Sequence, residues 1–390
     1  MYNRGTKYLE KNNPTKALQC FKKALKGIEF KELYLNLGNT YRLLDQDSFA
    51  EVAYTLANNS SVPFANGTFS SSYTLALNNL GLLAYARGND QLAISMYKQA
   101  LTVDPLHYDA IWNYGNALLR SSNCSSATGW KAYEYRFKRS GARITLDCSV
   151  PFWDGVSSGA SICVQTEQGL GDKIMFGRYL SLLATKFSNV YVVCHPSLDV
   201  FYSDYKIVRS VEESGASCTI GICSLAQYFG IVSSNYLDGK FSAHEFNEKE
   251  FNIGVVWSGS TTHANNRNRS CPARYFNNLS VLGKLYSLNP DAEPVKFAEQ
   301  IASRDWSETA SNVLGLDLVV AVDTSIVHLC GTLGVPCIMI QPLKETDFRW
   351  GKPGDTNVWY PSVTVVENTG WDSTMARVAM MIAELKVNNV

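Results

Sequence analysis

Two rhythms of hydrophobic and polar positions divide this chain. Through about its first 140 residues, small and aromatic side chains recur at fixed offsets. Gly5, Tyr8, Ala17, Phe21 and Ala24 return as Gly38, Tyr41, Ala50, Tyr54 and Ala57; a third copy runs Gly81, Ala93, Tyr97, Ala100 and Pro105; a fourth begins at Tyr114 and Gly115. Beyond residue 160 the apolar positions gather into short runs instead, at Ser161 to Thr166, Val190 to Cys194, Asn252 to Trp257, Leu285 to Leu288, Leu318 to Val322 and Cys337 to Ile340. Continuous runs, as opposed to alternating ones, predict strands of parallel sheets buried on both faces. Between them the pattern predicts helices from Asp172 to about Phe187, near Cys223 to Phe229, from Asp305 to Leu316 and from about Asp372 to Leu385.

Gly81 to Gly115 spans 34 positions and Gly5 to Gly38 spans 33. This is the period of tetratricopeptide (TPR) repeats, in which small residues let two antiparallel helices approach and aromatics fill the gap between them. Four imperfect copies predict a short right-handed helical solenoid with a concave face, interrupted by an inserted loop at residues 58–72. Such an array either docks a protein, peptide or acceptor on its concave face or serves only as scaffold.

The stretch LDLVVAVDTSIVHLCGTLGVPCIMIQ, residues 317–342, reads as strand, turn, helix, strand. A unit of that order binds its ligand at the carboxyl end of the first strand, where free N–H groups and the positive helix terminus attract phosphate. Thr324 and Ser325 supply hydroxyls there, and His328 lies one turn further in. The plainer reading makes Thr324 an N-cap and nothing more. A second strand-to-helix loop, Glu167-Gln168-Gly169-Leu170-Gly171-Asp172, has two glycines that permit φ > 0 and close backbone approach. His195, at the end of a strand, reads as a loop or packing residue before it reads as a base.

Composition sets limits on this picture. At 390 residues there is room for two or three domains, and 46% hydrophobic against 18% charged residues is a globular balance. Thirty-five basic residues offset thirty-five acidic ones, which removes the net field a nucleic-acid or anionic-membrane partner would exploit. No apolar run reaches ~18 residues, and Met1 leads straight into polar residues. The expectation is a cytoplasmic chain with no signal peptide and no membrane span. Ten cysteines lie scattered without a CxxC pair, which favours reduced thiols over disulfides or zinc. Asn-x-Ser/Thr triplets at Asn66, Asn123 and Asn278 carry no weight without a secretion signal.

The run VDTSIVHLCGTLGVP resembles the VDTxxxHLxGxLGxP signature of the heptosyltransferase-like glycosyltransferases of family 9 and their repeat-bearing relatives, with Asp323, Thr324, His328, Gly331, Gly334 and Pro336 in register. EQGLGDKIMFGRY, from Glu167 to Tyr179, is similar to the family's EQGLGDxIxFxRY loop. The stretch from Trp257 through HANNRNRS resembles its GxVWxGxxxHxxDxxRS segment, with Asn265 or Asn266 where an Asp is frequent. GWKAYEYRF from Gly129, Asp347-Phe348-Arg349-Trp350 and Trp359-Tyr360-Pro361 look like further elements of the repeat-bearing members. The resemblance covers about residues 125–370.

It implies an α + α/β chain: TPR helices over residues 1–140, an N-terminal Rossmann-like acceptor domain over 141–250, and a C-terminal Rossmann-like donor domain over 251–390 with a closing helix that crosses back to the first, the GT-B arrangement. It implies a glycosyltransferase moving a sugar from a nucleoside-diphosphate donor to a hydroxyl on a glycan or protein. Asp172 is the implied general base, with the alternative that it only caps its helix. Ser258, Gly259, Arg267, Arg269, Asp323, Thr324, Ser325 and Gly331 are implied on the donor side, with His328 beside the leaving group and Gln168, Gly169 and Gly171 in the acceptor loop. Arginine suits a diphosphate because its fork donates two parallel hydrogen bonds and stays charged; the alternative for 267–269 is a solvated basic loop. The aromatics near 350 and 360 either stack on a sugar or base or fill core. No DxD occurs in either α/β domain, Asp45-Gln46-Asp47 lying between repeat helices, so neither metal nor resident cofactor is expected, the nucleotide sugar being substrate. Two other readings stand beside this one: a transferase-like binding protein without turnover, and a sugar-nucleotide epimerase.

Overall fold

A computed structural model of the protein describes residues 1–27, 29–59, 61–62, 71–142, 145–247, 249–261, 263, 265–290, 293–351 and 357–388. Most of the loop expected at 58–72, with Asn66, falls outside them. The chain forms two compact units, Met1–Ser122 with Thr128–Ala142, and Asn123–Ala127 with Arg143–Val390.

The first unit is a TPR-like array of α1 (Tyr2–Glu10), α2 (Pro14–Ala24), α3 (Lys31–Leu43), α4 (Asp47–Asn58), α5 (Ser71–Ala86), α6 (Asp90–Val103), α7 (Tyr108–Ser121) and α8 (Ala127–Tyr133). Local chemistry sets the starts: Asn13 caps α2 ahead of Pro14, Asn89 caps α6 and His107 caps α7. Within each pair, the first helix gives up a side chain where the second crosses it. A Cβ on Gly5 would stand 2.5 Å from the Phe21 ring, on Gly38 2.3 Å from Tyr54, and on Gly81 2.5 Å from Tyr97. In the fourth copy Ala132 takes the aromatic's place, 2.8 Å from a Cβ on Gly115. The repeated offsets are therefore a packing rule.

Neighbouring repeats are also tied by polar groups. Asn79 Nδ2 donates to Asn39 Oδ1 at 2.9 Å and Asn113 Nδ2 to Asn78 Oδ1 at 2.9 Å, a chain of amides that links α3, α5 and α7. Arg120 on α7 forms a buried pair with Asp90 on α6 at 2.6 Å and lies 3.4 Å from the centre of the Tyr85 ring.

The second unit holds two all-parallel sheets. The first has the order β3-β2-β1-β4, from β1 (Gly159–Gln165), β2 (Phe187–Val193), β3 (Lys206–Val208) and β4 (Thr219–Gly221). The second has the order β10-β9-β8-β5-β6-β7, from β5 (Asn252–Val256), β6 (Lys284–Ser287), β7 (Glu299–Gln300), β8 (Leu318–Val322), β9 (Cys337–Ile340) and β10 (Val363–Val366). β5 and β8 are buried at every position, as continuous apolar runs require. In each sheet the strand order reverses once, beside β1 in the first and between β5 and β8 in the second. In open α/β sheets that reversal opens a crevice at the strands' carboxyl ends.

The helix after the 167–172 loop is shorter than the sequence predicts: α9 covers Leu170–Phe176, followed by a 3-10 turn at Gly177–Tyr179. The carbonyls that would continue it are taken by side chains. Tyr202 Oη donates to Lys173 O at 2.7 Å, Tyr236 Oη to Ile174 O at 2.6 Å, and Arg178 Nε to Met175 O at 2.8 Å. In the second sheet, α10 (Trp306–Leu314) leads into β8, and α11 (Ser325–Leu333) joins β8 to β9. The last helix, α12 (Trp371–Asn388), does not follow the expected return to the first sheet. Its Met375, Val378 and Ile382 complete the core of the second, with Phe276 and Leu279, because its apolar stripe is the cover that sheet face lacks. Among the described residues no helix is long and apolar enough to cross a membrane.

Candidate functional site

The carboxyl ends of β5 and β8 flank the reversal of the second sheet. After β5 the chain turns at Ser258 and Gly259, and the buried Asn289 fixes that turn. Its Oδ1 accepts the Trp257 N–H at 2.9 Å, and its Nδ2 donates to Ser258 O at 2.8 Å. Asn265, in a place where an acidic residue was the expectation, tethers the next loop through Nδ2 to Lys344 O at 3.0 Å and Glu345 O at 3.3 Å. Arg269 is buried. Its Nη1 donates to the Asp323 carbonyl at 3.0 Å, and a Cβ on Gly259 would meet its Nη2 at 2.5 Å. One guanidinium thus bridges the loops after β5 and β8, and glycine at 259 leaves it room. Arg267, two residues earlier, is exposed.

After β8, Thr324 takes the N-cap position of α11 without using its side chain as a cap, and Thr324 Oγ1 is buried with no hydrogen-bond partner. A buried hydroxyl left unsatisfied costs on the order of 1–3 kcal/mol. It sits with Ser325 at the positive end of α11, where partial charge and free N–H groups favour an anion. α11 closes at Gly334, whose φ of 80° is the left-handed conformation that glycine adopts without strain.

The loop after β1 meets this helix. A Cβ on Gly171 would lie 2.4 Å from His328 Cδ2, so glycine there lets α9 approach α11. The left-handed residue of the loop is Gln168, at φ 69°, and Gly169 is extended at φ −73°, ψ 172°. The glycines thus serve close approach, and the strain expected of them falls on a glutamine. Asp172 is both cap and ion pair. Its Oδ2 accepts the Gly169 N–H at 3.0 Å, and its Oδ1 accepts from Arg349 Nη2 at 2.5 Å. Arg349 Nη1 reaches both oxygens of Asp347, at 2.8 and 2.9 Å.

His328 is buried in an aromatic setting. Its Nδ1 lies 2.9 Å from Tyr360 Oη, and its ring packs on Trp350 with centroids 4.8 Å apart. Burial first, then the positive charge of Arg349, pushes its pKa down to about 3, so the imidazole is neutral at physiological pH. Gly331, on the same helix, is set against the Tyr360 ring, 2.2 Å from a built Cβ. Phe348, Trp350, Trp359 and Tyr360 are all buried, the core alternative weighed for those aromatics.

The acids differ in character. Burial, then the nearby Asp347 carboxylate, raises Asp323 to about 6 in spite of Arg269. Burial also raises Asp172, against the pull of Arg349. Asp347 moves the other way: burial opposes its charge, but Arg349 holds it below the usual carboxylate range. Sequence reasoning noticed the element from Asp347 to Trp350 yet missed its contacts with Asp172 and His328, which come from residues more than 170 and about 20 positions away. A basic residue between an acid and an aromatic was the available signal. Among the described residues, no group of three or more His, Cys, Asp or Glu is placed to hold a metal ion, and all ten cysteines are free thiols.

Residues 75–105 match the tetratricopeptide repeat family model. No curated protein matches the chain. Among solved structures, MamA is similar at 22% identity over 35% of this chain and 74% of its own, with a TM-score of 0.29. The bacterial iron-containing dodecameric glycosyltransferase TibC from enterotoxigenic E. coli is similar at 12% identity over 56% of this chain and 66% of its own (TM-score 0.41). An O-GlcNAc transferase variant from Thermobaculum terrenum is similar at 10% identity over 98% and 88% (TM-score 0.36).

Proposed function

We propose that the α/β unit is a glycosyltransferase that moves a sugar from a nucleoside-diphosphate donor to a hydroxyl acceptor. The observation that carries this reading is the unpartnered Thr324 hydroxyl at the start of α11, beside Arg269 and at the reversal of the second sheet. The same helix is in contact with the loop bearing Asp172. The family signature across residues 323–336 supports it independently.

In this mechanism the acceptor oxygen attacks the anomeric carbon as the bond from that carbon to the diphosphate breaks, and the acceptor proton passes to Asp172. The nucleoside diphosphate leaves with added negative charge. The Thr324 and Ser325 hydroxyls, the α11 N–H groups and Arg269 receive it, and Ser258 and Gly259 shape the floor. A neutral His328 contributes as a dipole and packing partner, not as a cation. Assigning the charge to protein groups makes the reaction one that continues in a chelator. To the repeats we assign docking of a glycan or protein acceptor or of a peptide partner.

Asp172 is already engaged by Arg349, and that favours the second reading, a transferase-like module that binds without turnover. Nucleotide release from a panel of sugar nucleotides separates the two. The wild-type chain should release nucleotide from at least one donor with or without EDTA. Asp172→Ala should lower kcat at least a hundredfold, and Thr324→Val should weaken nucleoside-diphosphate binding about tenfold without loss of stability. Background release from every donor in every protein would sink the enzyme reading.

A further inference from the structure

A carboxylate that accepts a proton from a substrate needs a fixed direction and an ionised state, and the surroundings of Asp172 work against the second. Burial disfavours its charge, and two further carboxylates face it, Asp347 from the 347–350 turn and Glu167 from its own loop, while His328 on α11 is neutral. Arg349 opposes all of them. Its Nη2 meets Asp172 Oδ1 at 2.5 Å while Nη1 spans both oxygens of Asp347.

The guanidinium is itself held in place. It lies 4.4 Å from the Phe348 ring centre and 5.6 Å from that of Phe176 on α9. The Arg349 carbonyl accepts from Asn357 Nδ2 at 3.1 Å, and Asn357 Oδ1 in turn accepts the N–H groups of Trp359 and Tyr360, each at 3.0 Å. The turn that carries Arg349 is thus pinned to the segment that carries the His328 partner, so the fork reaches Asp172 from a rigid base.

We propose that Arg349, anchored by Asp347, is a positioning residue of the transfer reaction: it fixes the orientation of the Asp172 carboxylate and supplies the positive charge that keeps it a proton acceptor. This rests on the transferase reading above. With Oδ2 committed to the Gly169 N–H and Oδ1 to Arg349, the remaining lone pairs of Asp172 have one orientation, and an acceptor hydroxyl meets them there.

The test combines a pH profile with a titration that needs no turnover. In Arg349→Ala the acid limb of kcat/KM for nucleotide release should move to higher pH by about one unit or more, so that activity at pH 6 falls at least about tenfold further than activity at pH 8. Arg349→Lys, which keeps the charge and loses the fork, should restore the limb while kcat stays low. Asp347→Asn should move the limb the other way. The Asp172 carboxyl, followed by carbon NMR with Asp172→Asn as the assignment control, should titrate higher in Arg349→Ala than in wild type. A lower kcat with an unmoved limb and an unmoved carboxyl titration would overturn the proposal and leave Arg349 a packing residue. Wild-type protein that releases no nucleotide would remove the transferase reading alone, since the carboxyl titration still decides whether Arg349 governs Asp172. If Arg349→Ala does not fold, the Lys and Asp347→Asn variants carry the same two readouts.

Discussion

Asp323 and His328 stand a little over one helical turn apart and respond to burial in opposite senses, because burial disfavours whichever form carries charge. For Asp323 this has a consequence for stability. Its folded value is about 6 against 3.8 for the ordinary side chain, so between those values the folded state binds the extra proton. The associated stability is fully present below pH 4 and is lost as pH rises through 6. Asp323→Asn should therefore unfold at a higher temperature than wild type at pH 7 to 8, by roughly 1–2 kcal/mol after discounting for solvent at this partly exposed group. The difference should shrink towards zero below pH 4. Thermal melts across pH check this, and a gap independent of pH would refute it. At this scale the sequence named Asp172, Arg269, Asp323, Thr324 and His328. It could not assign their protonation, which depends on Arg349 and Asp347, brought near by the fold.

Among the elements, the repeats were the most legible, since a helix crossing demands the same small and large residues in every copy. That makes the crossing testable by substitution. Gly38→Ala places a methyl 2.3 Å from the Tyr54 ring and should cost about 1–3 kcal/mol by overpacking. Adding Tyr54→Leu should recover part of that loss, although the second change alone removes an aromatic and its hydrogen bond to Asn39. Urea midpoints for the two single variants and the double give the coupling; strict additivity would mean the glycine is not there for the ring. Strands β8 and β9 fall at the bounds their apolar runs predict, because a strand buried on both faces writes itself into consecutive residues. The helix after Asp172 does not, since the hydroxyls of Tyr202 and Tyr236 that end it come from 29 and 62 residues further along the chain.

For the whole molecule, two compact units of different construction should behave as two thermodynamic bodies. The repeats rest on contacts between neighbours along the chain, and the α/β unit on two sheets and a ligand crevice. Scanning calorimetry should resolve two transitions, and a saturating nucleoside diphosphate should raise only the one belonging to the α/β unit, by about 2.7 kcal/mol of added stability at a hundred times Kd. A single transition that moves as one with ligand would show that the units unfold together.

What the sequence alone determined is what repeats or runs locally: the TPR period, the doubly buried strands, and the loops after β1, β5 and β8 that carry the chemistry. Each of these follows from neighbours a few residues apart. Only the tertiary structure decided which of those loops face one another, that Asp172 is joined to Arg349 from 177 positions away, that His328 is neutral behind Trp350 and Tyr360, and that Thr324 is left with an unpaired hydroxyl. Distance along the chain carries no record of such meetings, and electrostatics in a buried site depends on them entirely.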